Sequence, residues 1–211
     1  EIQLKRKENY PKKLVIIICF FYNQKKISNL RKSVEEISLY KFRKDLTIIT
    51  NQLSSEQEKS LNKLIKPKIK NFKIQQIKDL PDNNFLPWFS INLMRKKFKD
   101  TTNSHFMFLE DDIIVSSINI CYWVFFRKIL KNVGLIPGFL RFEKYKKNSY
   151  SIDNPKKLQL NKSPKILTSN NNFGFINSKY PYNAMYLMDR TLMKSYLNSD
   201  AVKIDFSFTN R

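Results

Sequence analysis

Three adjacent carboxylates, Glu110, Asp111 and Asp112, are the residues of this chain best suited to chemistry. They follow an apolar run, residues 106–109, with no turn residue between the run and the acids. Such a short apolar run is typical of a strand buried on both faces, as in a parallel sheet flanked by helices. The acids then fall where the strand leaves the sheet, which is where open α/β folds bind ligands.

Adjacent carboxylates repel one another, and a bound cation is a common way to hold them together. Oxygen ligands favour hard cations such as Mg²⁺ or Mn²⁺, which often bridge to the phosphates of a nucleotide. The cluster therefore predicts a metal–diphosphate site. The alternative is a solvated acidic turn, because acidic clusters are common after strands. Capping of the next helix does not require the acids, since Ser116 and Ser117 are available for it.

The length of 211 residues suits one well-buried α/β domain, or one such domain with a small lobe. A hydrophobic fraction of 42% excludes a mostly disordered chain. With only 3 Gly, the sequence contains neither a G-x-G-x-x-G motif nor a Walker-type motif. Bound phosphates would therefore depend on a metal and on basic side chains.

The net charge of +21 raises the question of nucleic-acid binding. The excess is mostly Lys dispersed along the chain, together with much Asn and Ile, as the codon bias of an AT-rich genome would produce. This pattern favours biased composition over a nucleic-acid footprint, so we expect no specific nucleic-acid partner. A basic surface would still help to recruit an anionic donor, or to bring the protein to an anionic membrane as a peripheral contact.

Cys19 and Cys121 lie far apart in apolar contexts, which indicates buried free thiols in a reducing compartment. The apolar run 14–22 is too short to span a bilayer and lacks a cleavage site of small residues. These features predict a cytoplasmic or membrane-peripheral protein. Because the chain begins at Glu1 without Met and ends abruptly at Arg211, we expect both ends to be cut from something longer.

Apolar periodicity predicts strands and helices that alternate through the first half of the chain. The predicted strands are residues 14–21, 45–50, 72–77 and 105–109, and the later helices of this half begin near Ser54 and Trp88. A βαβαβαβ succession implies a parallel sheet, with the all-apolar strands 14–21 and 105–109 at its centre.

The second half of the chain gives a less regular pattern. It predicts a helix over 118–132, a strand over 138–143, a loop or hairpin over 146–162, a loop over 170–175, a strand over 182–188, and a helix capped by Asp189.

In this order of elements, with Glu110-Asp111-Asp112 ending a central strand, residues 13–200 resemble the GT-A class of glycosyltransferases. The resemblance implies a Rossmann-like α/β fold, a mainly parallel sheet flanked by helices, with a smaller C-terminal acceptor-side region. It also implies a nucleotide-sugar donor and Mn²⁺ or Mg²⁺.

The resemblance also divides the chain. A basic lead-in, 1–12, would precede a single domain over 13–211. Within that domain, 13–115 would bind the nucleotide sugar, and 116–211 would face the acceptor.

The resemblance assigns roles to the acids and to one basic residue. Asp112 would ligate the metal that bridges the donor diphosphate. Glu110 and Asp111 would face the ribose or sugar, or bind the metal through water. Arg95, on a predicted helix, would reach the diphosphate or sugar; a solvated helix face is the alternative.

At the neighbouring strand ends the resemblance predicts contacts to the nucleobase. Phe20, Phe21, Tyr22 and Asn23 would border the base, and Asn51 would contact it. The alternatives are a core position for the two phenylalanines and an ordinary turn position for Asn51.

The catalytic base is the least defined part of the pattern. Glu143 and Asp189 are the candidates if the reaction inverts the anomeric centre. Glu143 has the alternative of an ion pair with Arg141, and Asp189 has the alternative of a helix cap. His105, at the start of a buried strand, is predicted to be structural.

The favoured function is a metal-dependent glycosyltransferase that moves a sugar from a UDP- or GDP-sugar to a glycan or other hydroxyl acceptor. One alternative is a basic nucleic-acid-binding module whose acids are structural. Another is a metal-dependent nucleotidyltransferase or nuclease, which would need a further carboxylate-bearing strand that the sequence does not convincingly supply.

Overall fold

A computed structural model describes residues 7–80, 82–145, 148–151, 165–167, 174–176 and 184–203. The chain divides into two compact units. The first comprises Glu1–Ile129 with Ala184–Arg211, and the second comprises Leu130–Asn183. The sequence-based division at residue 115 stays a prediction.

The secondary structure of the described residues consists of the following strands and helices. The strands are β1 (Leu14–Cys19), β2 (Lys44–Asn51), β3 (Phe72–Ile77), β4 (His105–Glu110), β5 (Phe142–Tyr145), β6 (Asn148–Ser151), β7 (Lys165–Leu167), β8 (Gly174–Ile176) and β9 (Met185–Asp189). The α-helices are α1 (Ile27–Ser38), α2 (Ser55–Ile65), α3 (Phe89–Phe98), α4 (Ser117–Leu130) and α5 (Arg190–Leu197).

The first unit contains a five-stranded sheet in the order β3-β2-β1-β4-β9. The first four of these strands are mutually parallel, and β9 pairs antiparallel with β4. This is a Rossmann-like α/β fold with a mainly parallel sheet, as predicted. Both strands expected at the centre, β1 and β4, have a neighbour on each side, which confirms that prediction.

The apolar character of β1 explains its central place. All six of its residues are buried, and alternate residues point to opposite faces of the sheet. On one face, Val15 and Ile17 belong to a core that also contains Met94 of α3 and Met193 of α5. Each fully buried side chain of this size contributes roughly 1.5–3 kcal/mol, so the sheet is anchored along the length of β1.

Polar residues fix where three helices begin. Ser54 and Gln57 form a reciprocal capping box at the start of α2. Ser116 and Asn119 exchange hydrogen bonds across the first turn of α4, which confirms that the acids are not needed for capping. Asp189 caps α5, because its side chain accepts a hydrogen bond from the Leu192 N–H at 2.8 Å.

Two predictions in the second unit were wrong in part. The strand expected over 138–143 begins only at Phe142, where β5 finds its antiparallel partner β6, while Leu140 is half exposed. Of residues 146–162, expected to form a loop or hairpin, Asn148–Ser151 form β6, which pairs with β5. The other residues of this range lie outside the described residues. Gly174 and Phe175, expected in a loop, pair with β7 as part of β8.

Within the described ranges, none of the helices is both long enough and apolar enough to cross a membrane.

Candidate functional site

The three acids lie at the carboxyl end of β4. The strand residues before them, 106–109, are at most 5% exposed, so the strand has little freedom to shift. Glu110 is half-buried and ends the strand, and the Ile113 N–H donates to the Glu110 carbonyl at 3.2 Å to close a turn. This turn buries Asp111 and exposes Asp112. Two carboxylates that are neighbours in sequence thus have different environments.

The Asp111 carboxylate lacks a full set of partners. The residue is 7% exposed, and its Oδ2 has no hydrogen-bond partner among the described residues. Burial raises the pKa of the Asp111 carboxyl; the positive charge of Lys26 opposes the rise, and the negative charge of Asp112 adds to it. A buried carboxylate oxygen without a partner is unfavourable, so a donor group that reached it would relieve that cost.

Cys19 lies beside the acids, because it pairs with Glu110 in the β1–β4 register. Burial raises the pKa of the Cys19 thiol to about 12, and the charges of Glu110 and Asp111 add to the rise. The thiol is therefore protonated near neutral pH and is a poor nucleophile and metal ligand. Cys19 and Cys121 are both buried and free, as the sequence predicted.

Side chains tie together the loops that follow β1 and β2. The Asn51 Oδ1 accepts a hydrogen bond from the Tyr22 N–H at 2.7 Å, and the Asn51 amide donates to the Gln52 carbonyl at 3.1 Å. The Asn23 side chain accepts from the Lys25 N–H at 2.9 Å and caps a short 3₁₀ helix. Asn51 therefore links the loop after β1 to the end of β2, and both the oxygen and the nitrogen of its side-chain amide form hydrogen bonds.

An open depression of about 470 Å³ lies beside these loops. Its lining consists of Tyr22, Asn23, Gln24, Glu56, Gln57 and Ser60. The last three come from the first turns of α2 and were missed in the sequence. The signal that could have found them is the capping box at Ser54, because it starts α2 just beyond the carboxyl end of β2. Polar and aromatic groups suit this depression to a polar ring.

Four predicted site residues do not reach the acids or the depression. Phe20 is fully buried and Phe21 packs against the core, which supports the core alternative for both. Arg95 is exposed and donates to Asn92 within the last turns of α3. Two residues later, Lys97 pairs with Asp45 at the start of β2, so Arg95 lies near the amino-terminal ends of the parallel strands.

Asp189 is the fourth. It pairs in register with His105 at the start of β4, about 16 Å along the strand from Glu110. Its carboxylate caps α5 and forms an ion pair with Arg127 at 2.9 Å. The structure therefore supports the helix-cap alternative and does not bring Asp189 to the acids. Glu143 lies exposed on β5 in the other compact unit.

Two carboxylates are available for a cation. Within the described residues, no group of three or more His, Cys, Asp or Glu is arranged to hold a metal ion. Mg²⁺, however, is commonly bound by one or two carboxylates, with substrate phosphates and water completing its shell. Exposed Asp112 fits a site of that kind, with Asp111 next to it and a diphosphate and water to complete the shell.

No protein-family model and no curated protein matches the sequence. Solved structures do match it. S. aureus TarS shares 14% identity over 58% of this chain and 31% of that chain, with a TM-score of 0.36. The 4-diphosphocytidyl-2C-methyl-D-erythritol synthase of Anaerococcus prevotii shares 10% identity over 90% of this chain and 77% of that chain, with a TM-score of 0.42.

The mannosyltransferase PcManGT of Pyrobaculum calidifontis, solved in complex with GDP-Man and Mn²⁺, also matches. It shares 5% identity over 49% of this chain and 28% of that chain, with a TM-score of 0.34. This chain thus spans about a third or less of the TarS and PcManGT chains.

Proposed function

We propose that this chain is a metal-dependent glycosyltransferase that moves a sugar from a nucleoside-diphosphate sugar to a glycan or other hydroxyl acceptor. The observation that carries the proposal is that two carboxylates with different environments are adjacent at the carboxyl end of β4. Asp111 is buried and has an oxygen without a partner among the described residues, whereas Asp112 is exposed. Parallel α/β sheets bind ligands at this edge. A sugar nucleotide offers both groups that such a pair needs, namely hydroxyl donors and a diphosphate that brings a cation.

The two acids take different roles in this proposal. Asp112, which faces solvent, would hold Mn²⁺ or Mg²⁺ together with the donor diphosphate. Asp111 and Glu110 would accept hydrogen bonds from hydroxyl groups of the ribose or sugar, which would supply the partner that Asp111 Oδ2 lacks. The metal, when bound, supplies positive charge that stabilises the departing nucleoside diphosphate.

The nucleobase would occupy the depression beside Tyr22 and Asn23. Asn51 would act there indirectly, by fixing the loop that carries Tyr22. The depression joins polar groups of α2 to an aromatic residue of the first loop, which suits a ring with a hydrogen-bonding edge. UDP and GDP are the ligands to compare.

The transfer itself requires the acceptor hydroxyl oxygen to bond to the anomeric carbon while the bond from that carbon to the diphosphate oxygen breaks. The hydroxyl proton must pass to a base. Glu143 stays a prediction for that role. Asp189 is not proposed for this role, because its carboxylate pairs with Arg127 and caps α5, at the amino-terminal ends of the parallel strands.

The test is a binding panel of UDP and GDP, each with and without Mn²⁺, read by thermal shift and calorimetry. Bound ligand raises the melting temperature according to its concentration and affinity. We expect at least one nucleoside diphosphate to stabilise the protein more with Mn²⁺ than without it. Asp112→Asn should reduce this metal-linked gain in affinity by about tenfold or more.

The matched control is Asp200→Asn, which removes the same charge from an exposed ion pair with Lys203. It should bind like the wild type. If no nucleoside diphosphate responds to Mn²⁺, or if Asp112→Asn behaves like Asp200→Asn, the proposed site is wrong.

A further inference from the structure

A buried hydroxyl on α1 faces the backbone of the acidic turn. Ser33 is 1% exposed, and its Oγ lies 3.1 Å from the Asp111 carbonyl oxygen and 3.2 Å from the Ile113 carbonyl oxygen. One hydroxyl proton is thus shared between two carbonyls of the same turn. These carbonyls bracket Asp112, so the hydrogen bonds fix the backbone on both sides of that residue.

This geometry is unusual for a helical serine, which commonly bonds a carbonyl of the preceding turn in its own helix or faces solvent. Ser38, on the last turn of α1, is an example, since its hydroxyl donates to the Glu35 carbonyl at 2.6 Å. Ser33 instead contacts a segment that is nearly 80 residues away in the sequence.

A second side chain from the same region repeats the contact. Tyr40, two residues beyond α1, is buried, and its hydroxyl donates to the Val115 carbonyl. Burial raises the pKa of Tyr40, so the phenol keeps its proton and stays a donor. Alternate carbonyls of residues 111–115 are therefore all held by hydroxyl groups from α1 and the segment that follows it.

The Asp112 carboxylate has no comparable support. Among the described residues it has no hydrogen bond or ion pair, so the backbone of the turn alone determines where it lies. A metal ligand must be held close to its productive position to contribute fully to affinity. An exposed ligand on a turn needs that turn to be rigid.

We propose that Ser33 is a positioning residue that holds the turn of Asp111 and Asp112 in the geometry needed to bind a metal–diphosphate. The ligand in this inference rests on the proposed function. The structural part, that Ser33 makes the turn rigid, does not depend on that function. The two parts are tested by separate measurements on Ser33→Ala, with Ser38→Ala as the matched control.

The first measurement is hydrogen exchange of the folded proteins without ligand. Loss of one hydrogen bond to the turn should speed exchange of the Ile113 amide by about fivefold, with no change in the amides of β1. Ser38→Ala should leave the turn at its wild-type rate. Equal exchange rates at Ile113 in Ser33→Ala and wild type, or faster exchange throughout the sheet as well, would overturn the positioning role.

The second measurement is the affinity for UDP and GDP with and without Mn²⁺. Ser33→Ala should lower the metal-linked gain in affinity about fivefold while leaving the affinity without metal unchanged, a split that general destabilisation would not produce. Equal losses with and without metal would contradict the proposal. If the wild type itself shows no metal-linked binding, the proposed function fails, while hydrogen exchange still decides whether Ser33 holds the turn.

Discussion

Asp111 lies in an environment that is unfavourable to its carboxylate. Its carboxylate is buried, one of its oxygens has no partner, and it lies next to a second carboxylate. Each of these features is unfavourable to the folded protein when no ligand is present. A ligand that supplies hydroxyl donors or a cation would remove the same penalties.

Asp111→Asn should therefore stabilise the ligand-free protein while weakening binding. The amide is neutral, so the desolvation of a buried charge and the repulsion with Asp112 disappear. We expect the free energy of unfolding at pH 7 to rise by about 1 kcal/mol. Urea unfolding measures this change, and the Mn²⁺ panel measures binding. A variant that loses stability and binds as well as wild type would contradict this account.

His105 allows a cleaner test of burial, because it is the only histidine in the sequence. Burial lowers the pKa of His105 to about 4, with Asp189 opposing the shift and Lys128 adding to it. In the unfolded chain the imidazole has its ordinary pKa near 6.5. As the pH falls from about 6.5 toward 4, the unfolded chain binds a proton that the folded protein does not, so stability is lost in that window.

We expect this one group to cost the wild type about 1–2 kcal/mol between pH 7 and pH 5, allowing for the partial exposure of the ring. His105→Gln keeps a polar side chain beside the Ser104 hydroxyl, which lies 2.9 Å from the ring Nδ1, but does not titrate. Its stability should therefore fall less over the same interval, even if it is lower at pH 7. Urea unfolding at the two pH values gives the comparison, and parallel losses would refute the assignment.

At the scale of elements, the start of α2 both stabilises the fold and lines the depression. The Ser54 hydroxyl accepts from the Gln57 N–H at 3.2 Å, and the Gln57 side chain accepts from the Ser54 N–H at 2.9 Å. Ser54→Ala should lower the free energy of unfolding by about 1 kcal/mol. Ser55→Ala, one residue further into the helix, is the control and should have little effect.

The same variant also tests the depression. Gln57 lines it, and Ser54→Ala removes the hydroxyl that accepts from the Gln57 backbone N–H and so holds this residue in place at the start of α2. Nucleotide affinity without metal should fall in Ser54→Ala and stay unchanged in Ser55→Ala. If nucleotide affinity is the same in both variants, the base does not occupy this depression.

The elements of the sheet could be predicted because their apolar runs are long enough to identify and alternate regularly with helices. β1 and the interior of β4 are apolar, which places them at the centre, whereas β3 mixes polar with apolar residues and buries only its last residue, as suits an edge strand. The acidic site followed from β4 alone, since the end of a parallel strand is where ligands bind. That placement needed no knowledge of side-chain contacts.

The positions of Asp189 and Arg95 could not be predicted in the same way. Asp189 ends a strand just as the acids do, but β9 runs antiparallel to β4. The end of β9 therefore lies beside the start of β4, away from the acids. Apolar patterns do not encode strand direction. Arg95 lies late in α3, where the helix has returned to the amino-terminal ends of the parallel strands. The contacts of Ser33 were equally hidden, because a lone helical serine carries no signal of a partner far along the chain.

At the scale of the whole molecule, the net charge of +21 and the carboxylate site suggest different partners. The cationic residues are dispersed over the described helices and loops, and some are already paired. Lys13 contacts Asp45 at 3.1 Å, and Lys68 pairs with Glu35. Three adjacent carboxylates, in contrast, lie together at the end of β4. Dispersed cations bind polyanions mainly through counterion release, whereas a metal bridge is local.

We therefore expect salt to separate the two kinds of binding. Raising the salt from about 50 to about 200 mM should weaken binding of a DNA or RNA duplex by several hundredfold or more. The same change should weaken Mn²⁺-linked binding of UDP or GDP by less than about tenfold, because a metal–diphosphate contact at a partly enclosed strand end is screened less. Fluorescence anisotropy and calorimetry on the same preparation measure both.

Tight nucleic-acid binding that persists at the higher salt, with no response to any nucleoside diphosphate, would favour a nucleic-acid-binding protein whose acids are structural. Asp112→Asn would then leave the salt dependence unchanged, whereas in a glycosyltransferase it removes the metal-linked binding and little else.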